Sequence, residues 1–171
     1  MNHRRLVMLI ASGLFAGSLL PGRLAAQPQS LAEQLVGTWT LVSFENVSPE
    51  GVRRELLGSS PRGVAVFDNV GRYVVTSTSA DRPKWKSRNR LEASTEELAS
   101  AGGGIISLFG TWSLNETDKT ITRRIEGSFV PNNEGVEFRT VIKLAGDELT
   151  LTDSNAAVGG KIDAVYKRVR R

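Results

Sequence analysis

Few side chains in this 171-residue chain are equipped for chemistry. Cysteine is absent, and the one histidine, His3, and both methionines, Met1 and Met8, lie at the very start. Residues 1–26 read as a cleaved export leader: Arg4 and Arg5 open it, the apolar run Leu6–Leu20 follows, and Pro21-Gly22 and the small pair Ala25-Ala26 close it. That run is 15 residues long, short of the roughly 20 that cross a bilayer as a helix. Residues 27–171 then hold no Cys, His or Met, which excludes thiol nucleophiles, disulfides, haem ligation by His or Met, ordinary zinc sites and a Ser-His-Asp relay. Carboxylate, Lys, Tyr, Ser/Thr and Arg chemistry is left, with no catalytic residue, metal or cofactor assigned.

Four features remain to be weighed. Glu126, in Ile125-Glu126-Gly127-Ser128, is the best isolated carboxylate for proton transfer, provided an apolar wall raises its pKa. Alternation instead puts it opposite Ile125 and outside. The densest charge is Arg82-Pro83-Lys84-Trp85-Lys86-Ser87-Arg88-Asn89-Arg90. Lys84, Trp85, Lys86, Arg88 and Arg90 read as a solvated lid, or as a peripheral contact for an anionic membrane or other polyanion. Gly102-Gly103-Gly104 lacks the Lys and Ser/Thr of a phosphate loop, and Asp147, Glu148 and Asp153 lack calcium-loop spacing. The leader carries three arginines and no acid, so of 22 bases and 18 acids the remainder keeps 19 and 18. Such a balanced domain has no net field for nucleic acid, and no nucleic-acid partner is expected.

These residues must be held by strands. Period-two runs occur at Gly37–Phe44, Gly63–Asp68, Arg72–Thr78, Ile105–Leu114, Lys119–Phe129, Val136–Leu144, Glu148–Asp153 and Lys161–Val169. Asp68-Asn69-Val70-Gly71, Asn115-Glu116-Thr117-Asp118 and Ala145-Gly146-Asp147 are hairpin links. Leu31, Leu35 and Val36 suggest one helical turn before the first strand. Ser94–Ser100 reads as a short helix, capped by Ser94 or Thr95 and stopped by the glycine run. Eight antiparallel strands with short links protect their edges most economically by closing, so the expected fold is all-β, an eight-stranded antiparallel barrel with one short helix in a single domain, 27–171.

Alternation also sorts the faces. Phe138, Thr140, Ile142 and Leu144 share one face, with Arg139 on the other; Ile106, Leu108, Trp112 and Leu114 group together, as do Leu149 and Leu151. The parity that buries Ile121, Ile125 and Phe129 also turns Arg123 inward, where an unpaired guanidinium would cost several kcal/mol. A partner, a wet lumen or a ligand anion such as a carboxylate or sulfate would resolve this. A bulge or strand end that leaves Arg123 in solvent would avoid it. Arg168, late in the last strand, is placed to lie across Trp39 at one barrel end, a stack worth about 0.5–2 kcal/mol.

The start Gly37-Thr38-Trp39 with a late arginine is similar to the opening of lipocalins and their calycin relatives. The longer series is more specific: Leu35-Val36-Gly37-Thr38-Trp39, Asp81-Arg82-Pro83-Lys84-Trp85, Asn89-Arg90-Leu91, Thr95-Glu96-Glu97, Phe109-Gly110-Thr111-Trp112-Ser113, Ile125-Glu126-Gly127-Ser128, Pro131-Asn132, Arg139-Thr140 and Gly146-Asp147-Glu148-Leu149-Thr150. Together these resemble the bacterial lipocalin-like domain family along nearly the whole of 27–171. The resemblance implies the fold and leaves the ligand open. Relatives often carry a histidine where this chain has Arg124 and a tryptophan where it has Asn133, so histidine-based activity does not transfer.

The leading expectation is an exported, periplasmic or secreted, non-enzymatic barrel that takes a small apolar or amphipathic ligand. Tyr73, Trp112, Phe129 and Phe138 would wall the pocket, and Arg123 would supply an anion contact. One alternative is a barrel isomerase or cyclase using Glu126 or Tyr73. Another is an envelope interaction module whose barrel is filled and whose basic loop meets the partner.

Overall fold

The structure, a computed structural model, describes residues 29–170, so the leader expected at 1–26 lies outside the described residues. Nine strands form one antiparallel sheet: β1 (Gly37–Val47), β2 (Arg53–Glu55), β3 (Arg62–Phe67), β4 (Arg72–Thr78), β5 (Ile105–Asn115), β6 (Thr120–Ser128), β7 (Glu137–Ala145), β8 (Glu148–Asp153) and β9 (Lys161–Arg168). β1 pairs with both β3 and β9, from Trp39 opposite Arg168 to Val47 opposite Lys161, so eight strands close into a barrel. β2 is the strand alternation does not reveal. Arg53, Arg54 and Glu55 are all exposed, and the three residues merely extend a hairpin from the end of β1.

Helix α1 (Leu31–Leu35) is set by a capping box, Ser30 with Glu33, and α2 (Thr95–Gly103) by another, Ser94 with Glu97. α2 runs three residues beyond Ser100, because its C-cap falls at the last glycine of the run, Gly104. The antiparallel order puts α1 at the same barrel end as the β3–β4, β5–β6 and β7–β8 hairpins, and there the Ala32 amide donates to Glu116 Oε1 at 3.2 Å. The loops that precede β3, β5, β7 and β9 gather at the other end.

That asymmetry decides where space is left. Leu35, Trp39, Phe67, Ile121, Ile142 and Leu149 fill the α1 end with side chains at most 1% exposed. Phe67 stacks on Tyr73 (6.2 Å, 19°) and meets Trp112 edge-on (5.7 Å, 85°). The barrel is packed at one end and hollow toward the other.

Candidate ligand-binding cavity

A cavity of about 400 Å³ occupies the hollow half of the barrel. Tyr73 and Val75 from β4, Ile106 and Leu108 from β5, Ile125 from β6, Leu151 from β8 and Ala164 and Tyr166 from β9 give it an apolar wall. Phe129, Val130 and Asn133 rim it from the β6–β7 loop, and Val158 from the β8–β9 loop. On β4, β8 and β9 alternate residues reach the lumen, whereas β5 presents the consecutive residues Ile105–Leu108 where it enters the barrel at the open end.

Ser107, Ser128, Asn133 and Thr140 add polar groups to the lining, and Arg123, Tyr73 and Asp153 are its titratable members beside Tyr166. Arg123, on β6, points inward; its Nη2 donates to Thr140 Oγ1 at 2.9 Å, its Nε is buried without an acceptor, and its Cζ lies 5.9 Å from the Tyr73 ring centroid. No carboxylate among the described residues forms an ion pair with it. Tyr73 buries its hydroxyl without a partner, and burial pushes its pKa up against the opposing pull of Arg123. Asp153, at the end of β8, accepts from the Asn155 amide at 2.9 Å.

Burial also pushes the Tyr166 hydroxyl up to about 12, from an ordinary 10.0. Below pH 10 both folded and unfolded chains keep this proton; above it the unfolded chain releases the proton first. The stabilisation is therefore complete below the unfolded value and is lost as pH rises toward 12, by about 3 kcal/mol at 1.36 kcal/mol per pH unit. Urea unfolding between pH 9 and 12 is expected to show this loss, and Tyr166→Phe to flatten it. An unchanged slope in the variant would assign the alkaline loss elsewhere.

Beneath the cavity, Arg168 Cζ sits 4.1 Å from the Trp39 ring centroid. Arg168 also donates to the carbonyls of Val36 (3.1 Å) and Gln34, and Trp39 Nε1 donates to Leu35 O at 2.9 Å. The end of α1, whose carbonyls have no helical partner, is tied to the first and last strands by these two side chains. The model of the lipocalin-like domain family matches residues 36–166. The chain belongs to the lipocalin-like domain family. A lipocalin-like protein from Bacteroides uniformis is similar in structure, at 15% identity over 79% of this chain and 98% of that one, with a TM-score of 0.43. A comparison with curated proteins gives no match.

Within this lipocalin-like barrel, Tyr73, Arg123, Phe129 and Phe138 line the cavity, and Trp112 does not. Parity turns Trp112 inward, but it lies three residues from the β5–β6 hairpin. It therefore packs against Phe67 in the filled half, with its indole N–H unpartnered. Glu126 is excluded too: it sits on the outer surface, paired with Arg72 at 2.7 Å, and that hydrogen bond holds its carboxyl below the usual range. This removes the best residue of the isomerase reading.

Lys84, Trp85, Lys86, Arg88 and Arg90 stand apart from the lining residues. None of them lines the cavity; the Lys86 amide donates to Glu97 Oε1 at 2.8 Å, which ties their loop to α2. The four bases are exposed and Trp85 is half-buried. What flanks the opening is the end of α2: a Cβ on Gly102 would lie 3.4 Å from Phe129 Cζ, and Phe129 is itself 50% exposed. The two departures from common family residues separate likewise, with Asn133 at the rim and Arg124 outside.

Thr140 and Ile106 are lining residues that were visible in the sequence only as members of an apolar face, and Tyr166 joins them from β9. Thr140 meets Arg123 diagonally across β6 and β7, since Arg123 lies opposite Phe138 and Ile121 opposite Thr140. A second recess, lined by Glu137, Phe138, Arg139, Asp153 and Asn155, shares Phe138 and Asp153 with the cavity. It exists because pairing between β7 and β8 begins only at Val141 opposite Thr152, leaving 137–140 without a β8 partner.

Proposed function

We propose that this lipocalin-like domain is an exported, periplasmic or secreted, binding protein that holds one small apolar or amphipathic molecule in its lumen and performs no reaction on it. The cavity carries this reading. Its 400 Å³ falls in the range of small-molecule sites, and its wall is mostly aliphatic and aromatic. Eight-stranded barrels either fill themselves or keep room for one ligand, and here the room is kept at the end away from α1. Apolar area removed from water contributes about 25 cal/mol per Å², so fit to the wall governs affinity. The absence of a reaction is supported by Glu126 lying outside the cavity, where it pairs with Arg72.

Native mass spectrometry of the protein recovered from its own cell envelope tests the reading. The expected mass is that of residues 27–171 with one stoichiometric small-molecule adduct. A bare protein that stays bare after exposure to envelope lipid extract would contradict ligand carriage, and a retained leader would contradict cleavage. Ile106→Trp, which places an indole in the cavity from β5, is expected to lower ligand affinity about tenfold or more, with the fold retained by circular dichroism. Unchanged affinity would put the ligand elsewhere.

A further inference from the structure

Arg123, a cation among the lining residues, lies on β6 away from the mouth, whereas the mouth is ringed by Phe129, Val130 and Val158 with Asn133 and the carboxylate of Asp153. We infer that Arg123, Thr140 and Tyr73 form an anion site at the cavity floor, and that the ligand is an apolar chain ending in one carboxylate or sulfate, bound head first. This rests on the lumen reading above and names the ligand class for it.

The floor has more donors than acceptors. A guanidinium offers five N–H groups; here Thr140 Oγ1 takes one, and among the described residues Nε has no acceptor and no acid pairs with the charge. Tyr73, whose ring centroid lies 5.9 Å from Arg123 Cζ, also buries its hydroxyl without a partner among the described residues. Arg123 is half-buried in a cavity it shares with Tyr73, Phe138, Tyr166 and Ile125, and an anion brought to it there gains attraction that bulk water would weaken. A planar fork suits the oxygens of a carboxylate or sulfate.

Orientation follows from where the charges lie along the strands. Phe129 at the rim is six residues beyond Arg123 on the same stretch of chain, roughly 20 Å of extended strand at about 3.3 Å per residue. Asp153 lies at the opposite end of the cavity's polarity, where β8 gives way to the loop that rims the mouth with Val158. Its carboxylate disfavours a second anion near the opening, while Phe129, Val130 and Val158 accept a chain. Head-first binding puts each part of the ligand against a wall of matching character.

Displacement of the neutral dye Nile red by dodecanoate and by dodecanol tests the site. Dye binding that Ile106→Trp weakens reports the lumen itself. Dodecanoate is expected to bind about tenfold or more tighter than dodecanol, although the alcohol is the less soluble; that margin is the size of one charge-assisted hydrogen bond. Arg123→Met is expected to erase the preference while keeping dodecanol affinity, and Thr140→Val to reduce it partly. Equal affinities, dye displaced by neither compound, or a preference that survives Arg123→Met would overturn the anion site and leave the lumen reading standing. Failure of the dye to bind at all would remove the lumen reading itself. The wild-type comparison needs no variant, so misfolding of Arg123→Met cannot blunt the test.

Discussion

Trp39→Ala is expected to cost about 3–5 kcal/mol of folding stability, the usual range for removing a fully buried large aromatic. Trp39 is 0% exposed and does three things at once. Its ring fills the closed end of the barrel, its Nε1 satisfies the Leu35 carbonyl, and its face receives the Arg168 guanidinium. α1 has five residues, far too few to persist alone, so its position depends on these contacts. Arg168→Ala is expected to cost about 2–3 kcal/mol, from the lost stack and the carbonyls of Gln34 and Val36 left without a donor. Arg168→Lys should recover little, because an ammonium lacks the planar fork. Urea denaturation of both single variants and the double variant measures these terms, and the two losses should fall short of adding. A cost below about 1 kcal/mol for Trp39→Ala would mean that the closed end relaxes around the gap.

Gly110→Ala is expected to cost about 3 kcal/mol or more, for one methyl group. The pairing of β5 with β6 shifts between Phe109 and Gly110, a bulge that brings the Arg124 backbone over Gly110. A Cβ there would lie 1.9 Å from Arg124 O and 3.1 Å from Glu126 N. Both are main-chain atoms held in the ladder, so no side chain can swing aside, and relief requires β5 and β6 to part. Gly103→Ala is the control: nothing lies within 4 Å of its added Cβ, and helix propensity predicts a gain of about 0.5–1 kcal/mol. Thermal unfolding of the two variants should move in opposite directions. Equal shifts would show that the bulge yields easily.

The same bulge marks where reading from sequence stops. Alternation in Ile105–Leu114 put Trp112 on the inner face, and that is where it lies. Whether an inner residue faces space or packing depends on its height in the barrel, and height follows from strand tilt, stagger and bulges rather than from period. Trp112 therefore sits with Phe67, while Ile106, six residues earlier on the same strand, reaches the cavity. Glu126 was legible as an outer residue. Its partner Arg72 was not, because β5 lies between their strands and nothing local links position 72 to position 126.

The sequence by itself determined the strands, the hairpins, closure of the sheet and the sidedness of Arg123, Trp39, Phe138 and Arg168, because turn chemistry and period-two burial act over neighbouring residues. It also determined what the chain cannot do, since residues 27–171 hold no thiol and no imidazole. Only the tertiary structure decided that α1 and Trp39 close one end, that the other end keeps about 400 Å³ open, and that Arg123 meets Thr140 and, among the described residues, no acid. Those outcomes depend on residues far apart in the chain coming to one height inside a closed sheet, which strand geometry sets only once all eight strands have joined.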